Sequence, residues 1–343
     1  MGLRGYIIKR IVYTFFLIVF VLILNFIIFE ILPHNPLQFF AGTGGSRYMT
    51  AAKLHQIMHL WGLDQPWPVR FAAYMKNMLT FQFGYNAPSV KSPALVINLI
   101  LMYLPNTLVL MGISTVLSII IGVVLGVIAA YKRGGLFDNV AVMGSLLTFA
   151  LPTFWIGLIF IFIFSINARI LPPNGIIDYN MPPWNTIFLL GTHISIPSTT
   201  EIISRISHLI MPVTVLTLVS FGGYTLLTRA TMMESLTEDY ILTAKAKGLK
   251  ERTIIFKHAL KNASLPIITS AAMSFGFLIS GALITETVFD YKGIGWLTIN
   301  SIFGTLNMPA LQAIFYVIAL CVIFANFISD LLYGVIDPRI KYG

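Results

Sequence analysis

Apolar residues in this chain gather into runs too long for one soluble core, separated by shorter polar stretches. A bilayer core about 30 Å thick is crossed by about 20 helical residues rising about 1.5 Å each. Six runs meet that length and predict spans over Ile11–Leu32, Leu104–Tyr131, Phe137–Ile166, Leu209–Met233, Ile267–Phe289 and Ala310–Val335. The second and third exceed the minimum, so they are expected to tilt or project beyond the lipid. The first follows Arg4, Lys9 and Arg10, as a signal peptide would. Its apolar stretch is too long for one, however, and no small-residue cleavage site follows. It reads as an uncleaved span.

Composition agrees with this pattern. Of 343 residues, 57% are hydrophobic and 10% charged, against about 25% charged in a soluble domain. The net charge of +9 would suit nucleic acid, but the basic residues are sorted by membrane side. The N-terminus, the 132–136 turn, the 234–262 loop and the tail, with Arg229, hold 14 of the 22 Lys and Arg. By the positive-inside rule that face is cytoplasmic, with both termini on it. The 33–103 loop opposes this with Arg47, Lys53, Arg70, Lys76 and Lys91 against Asp64 alone. Loops longer than about 60 residues count little in the rule. One cysteine, Cys321, excludes an intrachain disulfide and any cysteine-built metal site.

The expected fold class is therefore an all-α integral membrane protein with six transmembrane helices. Residues 1–32 form the cytoplasmic N-terminus and first span, and 33–103 a small helical extracytoplasmic subdomain. Residues 104–335 form a five-span core that includes the 234–262 loop, and 336–343 a cytoplasmic tail. In the subdomain, Leu54, Ile57, Met58 and Trp61 follow helical spacing up to Gly62. Pro68 suits the first turn of a second helix with Phe71, Met75 and Met78 on one face. His55 and His59 have zinc-ligand spacing, but no third ligand is evident and they read as a solvated face. The stretch Arg169–His208, with Pro172-Pro173-Asn174-Gly175, reads as irregular structure partly covering the outer mouth.

The most informative segment runs from Thr237 to Pro266. Thr237 is expected as a helix N-cap, with Glu238 and Asp239 facing the positive end of the helix dipole. Lys245 and Lys247 fall near the other end. Gly248 can take the left-handed conformation that stops a helix. A second helix is expected to reach about Asn262, with Pro266 marking the start of the next span. Thr243, Ala244 and Ala246 are small enough to let another surface approach closely.

This segment resembles the cytoplasmic EAA loop of ABC importer permeases, in the form of the dipeptide and oligopeptide branch. Aligned on Gly248, the Glu and first Ala of the general pattern are replaced by Leu242 and Thr243, while Ala244, Gly248 and Leu265-Pro266 remain. Other stretches resemble the same branch in the same order. They are Gly62-Leu63-Asp64-Gln65-Pro66, Leu104-Pro105-Asn106-Thr107-Leu108, and Gly122-x-x-x-Gly126-x-x-Ala129-Ala130. Then come Pro152-x-Phe154-Trp155-x-Gly157, Leu171-Pro172-Pro173-Asn174-Gly175, Glu286-Thr-Val-Phe289, Gly293-Ile-Gly295 and Asp337-Pro338-Arg339.

The resemblance implies a permease of a binding-protein-dependent importer in the cytoplasmic membrane of a bacterium or archaeon. It would pair with a second homologous permease, two cytoplasmic ABC ATPase subunits and an extracytoplasmic substrate-binding protein, with no nucleic acid. The ATPase-coupling residues would be Asp239, Tyr240, Thr243, Ala244, Lys245, Ala246, Lys247, Gly248, Leu249 and Lys250. Di- and oligopeptides are the implied substrates, with oligosaccharide, nickel or glutathione as alternatives. Whether the permease partner is a second copy or a homologue stays open.

No phosphate-binding loop occurs, and the Gly42-x-Gly44-Gly45 cluster lacks the required Lys. No cofactor is expected in this chain, ATP and Mg being held by partner subunits. No metalloprotease or nucleophile-elbow motif appears either, so no enzymatic activity is expected. An ion-coupled secondary transporter would place ionisable groups at the bilayer midplane. Here Glu30 and Glu286 fall near outer span ends and Asp330 toward an inner end. Glu286 is a candidate for the substrate path, where it would bind an amine. The competing reading is a structural hydrogen bond or pairing with Lys292. The Gly122-x-x-x-Gly126 step fits close helix packing, either between permeases or within one.

Overall fold

The computed structural model describes residues 3–32, 59, 64–86, 94–178, 185–189, 192–196, 198–305 and 307–336. The Gly42–Gly45 cluster, the run carrying Leu54, His55 and Trp61, Gly62 and Leu63, and the Asp337-Pro338-Arg339 motif lie outside the described residues.

Helix α1 (Leu3–Phe26) continues through a π-helical turn to Ile31. Next come α2 (Trp67–Leu79), with Pro68 in its first turn as expected, and α3 (Val96–Tyr131). Helices α4 (Leu136–Ala150) and α5 (Thr153–Phe160) follow, the latter extended by a π-helical segment to Asn167. An antiparallel hairpin, β1 (Asn185–Leu189) and β2 (Thr192–Ile196), pairs Asn185 with Ile196 and Leu189 with Thr192. Then come α6 (Thr199–Leu236), α7 (Asp239–Ala246), α8 (Leu260–Gly276), α9 (Leu283–Val288), α10 (Ile294–Ile299) and α11 (Met308–Ile336).

Among the described residues, four runs are long and apolar enough to cross a membrane: Ile7–Ile31, Val96–Tyr131, Thr199–Leu236 and Met308–Ile328. A fifth crossing results if α4 and the helix from Thr153 to Asn167 count together, although they meet at 96°. The bend replaces the straight span expected over Phe137–Ile166. Its cause is local: Leu151 is extended (φ −77°, ψ 133°), as a residue before proline prefers, and Pro152 cannot continue the hydrogen-bond ladder.

Three other boundaries differ from the sequence expectation. The run over Ile267–Phe289 is interrupted, because the chain tightens into a 3-10 turn over Phe277–Ser280 and turns at Gly281 (φ +74°). Helix α6 starts within the stretch expected to be irregular. The Ser198 hydroxyl caps it by accepting the Glu201 N–H at 3.2 Å. Pro266, expected to mark the start of a span, lies inside α8, just as Pro105 and Pro212 lie inside α3 and α6 within the expected spans. Neighbouring helices and local adjustments satisfy the backbone groups a proline leaves free within a membrane.

The chain divides into two compact units. The first holds Met1–Leu108, Gly276–Leu283 and Gly293–Gly343. Its core gathers Leu22 and Phe26 of α1, Tyr74 and Met78 of α2, Ile100 of α3, and Ala313, Ile314 and Tyr316 of α11. Asn25 Nδ2 donates to the Gln312 carbonyl at 3.0 Å, and Arg70 is ion-paired with Glu30. The Gly276 backbone meets Ala325 so closely that a Cβ would lie 2.3 Å from the alanine's own.

The second unit holds Val109–Phe275 and Ile284–Lys292, with α6 packed on several partners. A Cβ at Gly122 would lie 2.3 Å from Tyr224 Cβ, and one at Gly126 would lie 2.6 Å from Thr228 Cβ. The Gly-x-x-x-Gly step therefore brings α3 against α6 inside this chain. Gly222 does the same for α6 against Ser145 of α4. Tyr224 donates to Ser274 Oγ of α8 at 2.7 Å. The irregular stretch after Asn167 is fastened to α6, since Ser204 Oγ donates to Asp178 Oδ2 at 2.8 Å. It also reaches the segment after α9, where the Gly175 N–H meets the Phe289 carbonyl at 2.9 Å.

Candidate functional site

The long α6 does not end at the apolar boundary but carries on to Leu236. Thr237 is the C-cap of α6 rather than the N-cap of the next helix, its hydroxyl donating to the Glu234 carbonyl at 2.7 Å. Glu238 takes the extended N-cap conformation, and Asp239 opens α7 against the positive end of its dipole.

Helix α7 ends in a Schellman arrangement. Gly248 N–H reaches the Lys245 carbonyl at 2.9 Å, and Leu249 N–H reaches the Ala244 carbonyl at 3.3 Å. Gly248 supplies the left-handed residue, with φ +69°. Lys250 then caps the helical turn Glu251–Thr253, which passes through a π-helical segment, Ile254–Ala259, into α8. Helix, glycine break and second helix thus occur where the sequence places them, but the second helix continues through Asn262.

The two sides of α7 differ sharply. Ile241 is fully buried and Ala244 nearly so, in a cluster with Val127, Ala130, Met232, Ile254, Ile255, Ala259 and Ala263. Tyr240 is half-buried. Ala244 therefore packs on its own chain instead of lying open to an incoming surface, as its small size had suggested. Leu242 is 61% exposed and Leu249 39% exposed. Asp239, Thr243, Lys245, Ala246, Lys247, Gly248 and Lys250 are exposed as well. Leu242 and Ala246 stand one turn apart on the exposed side of α7, and Leu249 lies exposed beyond the glycine break, with lysines between them.

Two fastenings flank this segment, and sequence reasoning missed both. Arg229, near the end of α6, donates Nη2 to Asp138 Oδ2 at 2.8 Å, and its Nε reaches Oδ1. The same carboxylate accepts the Gly134 N–H at 2.9 Å. After the glycine break, Glu251 Oε2 accepts the Tyr131 hydroxyl at 2.6 Å. Charged residues at the margins of apolar runs were the available signal, since an isolated ion there needs a partner.

Glu286 is fully buried in α9. Burial pushes the nearby Tyr291 hydroxyl up to about 12, with the Glu286 charge adding to the shift and Arg205 opposing it. Lys292 Nζ donates to Asp290 Oδ1 at 2.6 Å. Among the described residues no three His, Cys, Asp or Glu side chains gather as a metal site would require.

The family described as "Binding-protein-dependent transport system inner membrane component" matches residues 122–342, more than half of the chain. A companion family covering the N-terminal part of such membrane components matches residues 3–111. Similarity to the oligopeptide transport system permease protein AppB of Bacillus subtilis is 34% identity over 340 residues, 99% of this chain and 100% of that protein. The di/tripeptide transport system permease protein DppB of Pseudomonas aeruginosa is 33% identical over 324 residues, 94% of each chain. The dipeptide transport system permease protein DppB of Escherichia coli is 32% identical over 327 residues, 93% of this chain and 94% of that one.

Proposed function

This chain belongs to the family of binding-protein-dependent transport system inner membrane components, and from that premise we propose that it is a permease subunit of an ATP-driven importer of di- and oligopeptides. The observation that carries the reading is the near-complete overlap with proteins named as oligopeptide and dipeptide permeases. In this reading the chain pairs with a second homologous permease. Two cytoplasmic ATPase subunits hold ATP and Mg, and an extracytoplasmic binding protein delivers the peptide. Six crossings follow if the bent α4–α5 pair is the third and α8 is the fifth. Both termini then face the cytoplasm, consistent with the basic residues there.

Helix α7 and its flanks, Asp239 to Lys250, form the surface that docks on an ATPase. Its design supports this. The inner face is fixed by packing, the outer face presents Leu242 and Leu249 beside lysines, and the Schellman turn sets the direction in which the chain leaves. Exposed apolar side chains beside charged ones are the ordinary make-up of an interface centre and rim. Burial of Glu286 supports a structural role over substrate contact. Glu286→Gln decides the point: uptake that changes with the charge of the peptide would restore it to the path.

The test of the whole reading is purification in mild detergent from the native membrane, followed by reconstitution with whatever co-purifies. ATP-dependent peptide uptake, with ATPase subunits and a second permease recovered, is the expected result. Uptake driven by an ion gradient alone would overturn the importer assignment. ATP-driven uptake of nickel, glutathione or oligosaccharide instead of peptide would overturn the substrate alone.

A further inference from the structure

Both arms of the 234–262 segment are tied to one short stretch of the second unit, the turn between α3 and α4. On the incoming arm, Arg229 of α6 grips Asp138 with two nitrogens, and that carboxylate also holds the Gly134 backbone N–H. Asp138 is 1% exposed, so water cannot substitute for these bonds. On the outgoing arm, Tyr131, the last residue of α3, donates to Glu251, the first helical residue after the glycine break. Between these fastenings, Val127 and Ala130 of α3 share a buried cluster with Ile241 and Ala244 of α7.

Resting on the function proposed above, we propose that residues 131–138 are the transmission element of this subunit, with Tyr131, Asp138, Arg229 and Glu251 as positioning residues. Through them, displacement of α7 moves the ends of α3 and α4. Closely packed interiors shift between discrete arrangements and do not deform smoothly, so a helix held on both flanks carries its support with it. The apolar cluster supplies the contact, and the polar bonds fix its direction. Tyr131→Phe removes only the outgoing fastening, at a residue 48% exposed, where folding is little affected. Glu251→Gln keeps an acceptor for the Tyr131 hydroxyl, whereas Glu251→Ala does not.

The experiment uses the complete reconstituted complex and reads peptide uptake and ATP hydrolysis in the same vesicles. Tyr131→Phe, Glu251→Ala and Asp138→Asn are expected to lower uptake per ATP by at least about fivefold while hydrolysis continues, with Glu251→Gln close to wild type. Uptake per ATP unchanged in Tyr131→Phe and Glu251→Ala would overturn the proposal, as would Glu251→Gln behaving like Glu251→Ala. Wild-type complex without ATP-driven uptake would instead defeat the importer reading itself, so the two failures are distinct.

Discussion

The hydroxyl oxygen of Thr107 accepts the backbone N–H of Ile294 at 2.7 Å, with Thr107 fully buried and Ile294 2% exposed. The bond joins two motifs almost two hundred residues apart in sequence and satisfies a donor at the start of α10 that no helical carbonyl can reach. Tyr103 and Trp296 stack beside it, with ring centroids 5.8 Å apart.

Thr107→Val keeps the shape but strands the Ile294 N–H. It is expected to cost about 1–3 kcal/mol, while Thr107→Ser stays near wild type. Thermal unfolding of the purified protein in detergent checks both. Equal Tm values for Thr107→Val and wild type would remove the bond from the account.

Gly126→Ala would place a Cβ 2.6 Å from Thr228 Cβ and 2.7 Å from the Thr225 carbonyl oxygen. Neither neighbour is the free end of a flexible side chain, so α3 and α6 must separate, at about 1–3 kcal/mol. Gly112→Ala, on the same helix, meets nothing within 4 Å and is expected to stabilise the protein by about 0.5–1 kcal/mol, as Ala does over Gly inside a helix. Folded yield and Tm of the two variants should diverge accordingly.

Gly248 meets nothing within 4 Å of an added Cβ, so a substitution there acts through its positive φ alone. Gly248→Ala is expected to cost about 1–2 kcal/mol and Gly248→Asn less, because Asn tolerates the left-handed region. ATP-driven uptake by the two variants should follow the same order. Bulk without strain has no effect at this position in the structure, so Gly248→Ala indistinguishable from wild type in both assays would count against the turn.

Leu242→Asp and Ile241→Asp place the same charge one residue apart on α7. The first is expected to leave Tm unchanged and to abolish co-purification of ATPase subunits, because Leu242 is exposed. The second buries an unpaired charge among Ile254, Ile255 and Ala259 and is expected to lower folded yield. Retention of ATPase subunits by Leu242→Asp would move the docking surface elsewhere.

The membrane class, the helix Trp67–Leu79 with Pro68 in its first turn, and the helix–glycine–helix pattern around Gly248 were legible in the sequence because each depends on local chemistry. Apolar runs report the solvent, Pro presets the backbone of a first helical turn, and Gly alone adopts the left-handed stop at little cost. The Ser198 cap was legible in principle, since Ser198 stands three residues before Glu201, but the surrounding prolines and serines masked it.

Other features were decided only by the tertiary structure. Whether Gly122 and Gly126 face another chain or their own depends on which helix comes to them, and α6 does. Proline gives a strong local signal, yet α8 runs through Pro266 while α4 and α5 part at Pro152, because surrounding packing selects between two permitted outcomes. Likewise, Ala244 and Leu242 stand two residues apart and both suit a helix, but the packing of α7 on Ile254, Ile255 and Ala259, with Val127 and Ala130 of α3, decides which of them is buried. Sequence periodicity fixes which residues share a face; it does not contain the neighbour that the face will meet.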